Sequence, residues 1–156
     1  MPKNNPVLIN GWAIYAHPLF LRQLEDLNAE VEKIKSKDPL GYQTKNITKI
    51  RDAVIIKALK EIPADPTLPK YRQGDTLGKS YTQWFRAKFY QQYRLFFRYS
   101  LSRKIIIYGW VNDRKTLRAY GSKTDAYAVF KKMLDNGNPP SDWKSLLAES
   151  ETFKTD

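Results

Sequence analysis

Apolar and polar positions change period several times along this chain, and each change marks an element. Val7 to Tyr15 carries Val-Leu-Ile before Gly11 and Trp-Ala-Ile-Tyr after it, which reads as one strand with Gly11 at a bulge. His17-Pro18 closes that strand, because a residue before proline avoids the helical region and proline suits a first helical turn. Phe20, Leu24, Leu27, Val31 and Ile34 then recur at helical spacing and predict an amphipathic helix to about Ser36. Asp38-Pro39-Leu40-Gly41 breaks it. Ile47, Ile50, Val54, Ala58 and Ile62 set a second helix from about Thr44 to Glu61. Two such helices joined by a short breaker make a hairpin that needs a sheet to cover.

From Ile62 to Pro69 three prolines impose an irregular connection, continued by Tyr71-Arg72-Gln73-Gly74 as far as Gly78. Those glycines match neither a P-loop nor a dinucleotide fingerprint. At Trp84 the period drops to two. Trp84, Arg86, Lys88 and Tyr90 share one face of a strand, with Phe85, Ala87 and Phe89 on the other. From Tyr93 to Leu101, Arg94, Phe96 and Arg98 alternate with Tyr93, Leu95, Phe97, Tyr99 and Leu101. A short link at Gln91-Gln92 predicts a hairpin, and Ser102-Arg103 a second tight turn. Ile105 to Val111 is almost wholly apolar, as a strand buried on both faces should be.

The expected fold class is therefore α+β. A helical hairpin packs on a three-stranded antiparallel meander, with the charged, ring-bearing face turned away from it. Beyond the polar turn at Asn112-Asp113, a further helix is expected from Ser122 or Thr124 as cap, buried through Ala126, Val129, Phe130 and Met133 and stopped at Asn136-Gly137. Pro139-Pro140 is a rigid spacer before a last short helix capped by Ser141 and anchored by Trp143. Residues 1–6 and 149–156 are polar and read as flexible ends of a single domain, 1–156.

Composition adds a location for charge. The 156 residues carry 27 Lys or Arg against 16 Asp or Glu, a net +11. From Lys70 to Lys123 there are 13 basic residues against only Asp75 and Asp113, so the whole excess lies in the strand region, with 13 of the 21 aromatics. Charge concentrated in this way is the footprint of a phosphate-backbone binder. With no cysteine, disulfides and thiolate metal sites are excluded, and the absence of a signal core or membrane-length apolar run leaves a cytoplasmic protein as the expectation.

A single histidine rules out a two-histidine acid–base pair, and no spacing offers a metal site, a nucleophile elbow or a P-loop lysine, so no metal or cofactor is expected. What remains is a cluster of cations and tyrosines. Such a cluster can cleave RNA, because the 2′-hydroxyl is an internal nucleophile and guanidinium forks suit the non-bridging phosphate oxygens. The same residues would equally make a plain RNA-binding face with rings stacking on bases.

The block Trp84-Phe-Arg-Ala-Lys-Phe-Tyr-Gln-Gln-Tyr-Arg-Leu-Phe-Phe-Arg-Tyr99 closely resembles the YhaV toxins of PrlF–YhaV toxin–antitoxin systems, in the RelE/ParE superfamily. Trp110 to Gly121, Asp125-Ala126-Tyr127 and Pro139-Pro-Ser-Asp-Trp143 extend the resemblance, which covers nearly the whole chain. It implies a RelE-like toxin: a metal-independent endoribonuclease that cuts mRNA on the ribosome by 2′-hydroxyl attack, stops translation and is neutralised by a PrlF-type antitoxin. Toxin and antitoxin together are expected at promoter DNA.

By the same resemblance the catalytic residues are Arg86, Lys88, Arg94, Arg114 and Tyr120. Arg94 and Arg114 grip the scissile phosphate, Lys88 and Arg86 stabilise or shuttle charge, and Tyr120 orients the 2′-hydroxyl or stacks on a base. Arg98, Arg118 and Trp84 are expected to contact RNA. Arg86 stands where RelE has lysine, and a permanently protonated guanidinium is a poor proton shuttle. The competing readings are a non-catalytic RNA or ribosome binder and a ParE-like inhibitor of DNA gyrase.

Overall fold

At Asn10-Gly11 the amino-terminal stretch folds back on itself. Both residues take positive φ, 52° and 83°, as a two-residue hairpin turn requires. Val7–Ile9 (β1) and Trp12–Ala16 (β2) are thus two antiparallel strands rather than one bulged strand. This computed structural model describes residues 6–153. The expected flexible lead-in therefore lies almost entirely outside the described residues.

Helix α1, Pro18–Lys37, begins where the proline predicts. His17 caps it: Nδ1 accepts from the Leu19 amide at 3.2 Å, which leaves Nε2 to donate to the Glu149 carboxylate at 2.9 Å. The histidine is buried and structural. Helix α2, Asn46–Ile56, runs on through a wide turn at Lys57–Glu61 into the short α3, Ile62–Ala64. The Tyr108 hydroxyl donates to the Ala58 carbonyl at 2.6 Å inside that wide turn, pinning it to the sheet. Burial pushes the Tyr108 phenol well above its ordinary pKa, so it stays a donor.

Strands β3 (Phe85–Phe89), β4 (Tyr93–Ser100) and β5 (Ile105–Val111) form the expected antiparallel meander. The sheet is larger than expected and mixed, with order β1-β2-β5-β4-β3 and β2 running parallel to β5. Helix α4 spans Ala126–Asp135 and α5 spans Trp143–Glu149, capped by Asp125 and Asp142 rather than by the neighbouring hydroxyls. Beyond α5 the chain does not trail off. Glu151–Thr152 (β6) pairs with Tyr15 and Ala16 of β2, and Phe153 is fully buried beside Phe20 and Tyr108. Its apolar ring outweighs its polar neighbours.

The alternation in β3 and β4 sorts two cores. Ala87, Phe89, Tyr93, Leu95 and Phe97 face the helical hairpin, with Phe20, Leu24, Val54 and Ala58. Trp84, Phe96 and Trp110 face α4 and α5, against Tyr127, Phe130, Leu134 and Leu146. Phe130 stacks on Phe96 at 4.4 Å and on Trp110 at 5.5 Å between ring centres. The ring-bearing face is therefore closed over most of its area by α4 and α5, with Lys88 exposed at the β3–β4 end of the sheet.

Candidate active site

Lys88 and Arg94 meet across the β3–β4 ladder because the connecting turn is tight, with Tyr90 and Gln91 at positive φ of 45° and 62°. Buried Asn112 secures this end of the sheet. Its Oδ1 accepts from the Arg94 amide at 2.7 Å, and its Nδ2 donates to the carbonyls of Gln92 at 2.9 Å and Thr116 at 2.8 Å. The Arg118 amide donates to the same Gln92 carbonyl at 2.9 Å, docking the 113–125 loop beside the turn.

Around the first turn of α4 the cations converge. Arg86 Nε and Arg94 Nε both donate to the Tyr127 hydroxyl, at 2.9 and 3.1 Å. Arg86 Nη1 also donates to the Lys70 carbonyl at 2.8 Å. Arg94, only 7% exposed, gives Nη1 to the Gln91 and Tyr93 carbonyls. Among the described residues its Nη2 has no partner, yet it is not sealed from solvent, so one edge of a fixed guanidinium remains for an anion.

Arg118 lies 4.5 Å from the Tyr127 ring centre and 4.6 Å from that of Tyr120, and donates to Asp125 at 2.9 Å. Asp125 in turn accepts from the Ala119 amide at 2.7 Å and the Tyr127 amide at 3.0 Å. Tyr120 is 94% exposed, and Lys88 on β3, opposite Arg94, is exposed too. Among the described residues Arg86, Lys88, Arg94 and Arg114 have no carboxylate within ion-pair reach; only Arg118 is neutralised, by Asp125. Guanidinium groups held by neutral acceptors keep their positive charge, a setting that suits a polyanion.

Five of the expected residues thus meet here: Arg86, Lys88, Arg94, Arg118 and Tyr120. Arg114 sits just past the end of β5 but leans to the other side. It lines a cleft of about 340 Å³ with Gln23, Asp26, Glu30 and Tyr93, at the same end of the sheet. Two expectations fail. Trp84 is fully buried, edge-on to Phe130 at 5.0 Å with Nε1 donating to Ser141, so its ring cannot stack on a base. Arg98 donates to the Ser141 carbonyl and lies 5.4 Å from the Trp143 ring centre. Burial lowers its pKa from the ordinary arginine value. It fastens the carboxy-terminal segment instead of facing RNA.

Tyr127, Asp125 and Asn112 organise the site, although the sequence reading gave them no role there. Asp125-Ala126-Tyr127 stands out only as part of a resemblance, and Tyr127 lies outside the apolar set Ala126, Val129, Phe130 and Met133 that marks this helix. Among the described residues no group of His, Cys, Asp or Glu could hold a metal ion, and no helix is long and apolar enough to cross a membrane.

A basic α+β fold with convergent arginines and tyrosines at one sheet end has the chemistry that suits a protein handling phosphodiesters. Comparison with known proteins agrees. The sequence model of a family of toxins with endonuclease activity, from toxin–antitoxin systems, matches residues 14–151, and the chain belongs to that YhaV family. The toxin YhaV of Escherichia coli O6:H1 is 52% identical over 149 residues, covering 94% of this chain and 96% of the relative. The ribonuclease toxin YhaV of Escherichia coli (strain K12) shows the same identity and coverage. No solved structure matches significantly.

Proposed function

We propose that this endonuclease toxin cuts RNA, namely mRNA engaged by the ribosome, at the sheet end built on Arg86, Lys88, Arg94, Arg114 and Tyr120. The convergence of uncompensated Arg86 and Arg94 on one tyrosine hydroxyl, with Lys88 opposite Arg94, carries this reading. It is supported by the relative named a ribonuclease toxin.

In the proposed reaction the substrate's 2′-oxygen attacks the adjacent phosphorus and gives up its proton, while the bond to the 5′-oxygen breaks and that oxygen takes a proton. The products are a 2′,3′-cyclic phosphate and a free 5′-hydroxyl. The Arg94 guanidinium stabilises the charge gathering on the non-bridging oxygens, and Arg114, on the other side of the same sheet end, reaches that phosphate only if the 113–125 loop turns it over the edge and otherwise holds the flanking backbone. Lys88 is the cation able to yield a proton, since arginine stays protonated, and Arg86 adds fixed positive charge. Exposed Tyr120 orients the 2′-hydroxyl or stacks on a neighbouring base, and Arg118 adds a backbone contact. The fold is read as RelE-like, the setting as cytoplasmic, and the partners as a PrlF-type antitoxin and, jointly with it, promoter DNA.

Primer extension on a defined mRNA tests this, with the protein alone, with translating ribosomes, and as the Arg94→Ala/Arg114→Ala variant with ribosomes. New 5′ ends are expected only with ribosomes and the unchanged protein. Cleavage without ribosomes makes it a free ribonuclease. Arrested translation with every mRNA intact overturns catalysis in favour of blockade by binding, and failed supercoiling with intact mRNA favours a gyrase target.

A further inference from the structure

Arg86 and Arg94 are like charges on adjacent strands, diagonal to each other on one face, since Arg86 pairs with Phe96 and Lys88 with Arg94. Left to themselves two guanidinium groups in that relation spread apart. Both Nε–H groups instead converge on one atom, the Tyr127 hydroxyl oxygen. A phenolic oxygen accepts about two hydrogen bonds, so these two donors fill its acceptor capacity.

The Tyr127 ring belongs to the core under its helix, but its hydroxyl is not among the groups that hold the helix down. Phe130 and Leu134 bury α4, and the Asp125 carboxylate caps it through the Tyr127 and Ala128 amides. The ring alone makes the edge contact with Phe96 at 5.5 Å and the contacts with Arg118 at 4.5 Å and Arg94 at 5.8 Å, all of which Tyr127→Phe keeps. The hydroxyl does something separate: together with the Gln91, Tyr93 and Lys70 carbonyls that take the Nη1 groups, it fixes the planes of two guanidinium groups and leaves the Nη2 edge of Arg94 without a partner among the described residues.

We propose that Tyr127 is a positioning residue of the RNA-cleaving site, its hydroxyl oxygen holding Arg86 and Arg94 in the geometry that receives the phosphorane-like charge. This rests on the functional reading above and adds a residue to it. The chemical consequence is specific. Substrate approach is governed by net charge, which Tyr127→Phe leaves unchanged, whereas transition-state stabilisation depends on the aim of the donors.

The test is single-turnover cleavage of a defined mRNA on programmed ribosomes, read by primer extension across a range of protein concentrations. The proteins are the unchanged chain, Tyr127→Phe and Arg94→Ala. For Tyr127→Phe the rate at saturation is expected to fall about 10- to 100-fold, with the half-saturating concentration moving less than about threefold. A lost general packing role would instead lower the unfolding midpoint, which is expected to stay within about 3 °C. An independent reading comes from the Nε–H resonances of Arg86 and Arg94 in a ¹⁵N spectrum, expected to be protected from exchange in the unchanged protein and unprotected in the variant. A saturating rate within about twofold of the unchanged protein, where Arg94→Ala is inactive, overturns the role of Tyr127 alone. If Arg94→Ala cleaves normally, the site reading falls and the proposal with it.

Discussion

Gly109 lies where Trp84 leaves no room for a side chain. A Cβ built there would stand 2.7 and 2.8 Å from Cζ3 and Cη2 of the indole, well inside contact distance. The glycine also falls at the register shift in the β4–β5 pairing, where Phe96 faces Trp110 and Phe97 faces Tyr108, so β5 carries one extra residue. That bulge lets Ile107 and Trp110 both face the second core, and it lets Val111 and Asn112 reach the start of β4 in register with Leu95 and Arg94. Gly109→Ala is expected to cost about 1–3 kcal/mol by overpacking. Urea unfolding would show it as a lower midpoint at unchanged slope. A midpoint equal to that of the unchanged protein would mean that Trp84 moves freely, which its burial on all sides argues against.

Elements that rest on local signals were legible, and those that rest on distant partners were not. Period two in β3 and β4 sorts Arg86, Arg94 and Phe96 from Ala87, Leu95 and Phe97 without knowledge of any other strand. The parallel pairing of Ile14 with Ile106 and Tyr15 with Ile107 joins residues far apart in sequence, and no local pattern announces it. Asn10-Gly11 was a readable hairpin signal, obscured because the apolar residues on both sides looked like one run. The expectation of a flexible end at 149–156 fails over 149–153 for an energetic reason, while 154–156 lie outside the described residues. A single buried phenylalanine, with a backbone bond from its amide to the Ile14 carbonyl at 3.2 Å, orders a segment that is otherwise polar. Phe153→Ala is expected to destabilise the fold by about 3–5 kcal/mol. Cleavage per folded molecule should be unaffected, because the ring packs on Phe20 and Tyr108 in the other core. A loss below about 1 kcal/mol would show that β6 does not hold its place on β2.

Across the whole molecule, location of charge matters more than its sum. The net +11 is confined to the Lys70–Lys123 region, but the fold divides those cations into groups with different fates. Arg98 is spent internally on the Ser141 carbonyl and the Trp143 ring, and Arg118 is neutralised by Asp125. Lys88 and Arg114 remain exposed at one end of the sheet, on opposite sides of it. An RNA strand held there would release counterions from the phosphates these two residues neutralise, at a slope of about 0.7 in log K per log salt for each contact.

Fluorescence anisotropy of a labelled single-stranded RNA over a salt series separates the groups. Lys88→Ala and Arg114→Ala are each expected to reduce the slope by about one contact. Arg98→Ala should leave the slope unchanged and lower the unfolding midpoint, since its guanidinium holds the carboxy-terminal segment down. The opposite pattern, with Arg98→Ala flattening the salt dependence and Lys88→Ala leaving it intact, would put the RNA path along the middle of β4. That path would require α5 to lift off the sheet, exposing Leu146 and Leu147 together with the Trp84 ring beneath them. Such an opening costs the burial of Leu146 and Leu147, whereas the exposed end of the sheet receives RNA with no rearrangement of the core.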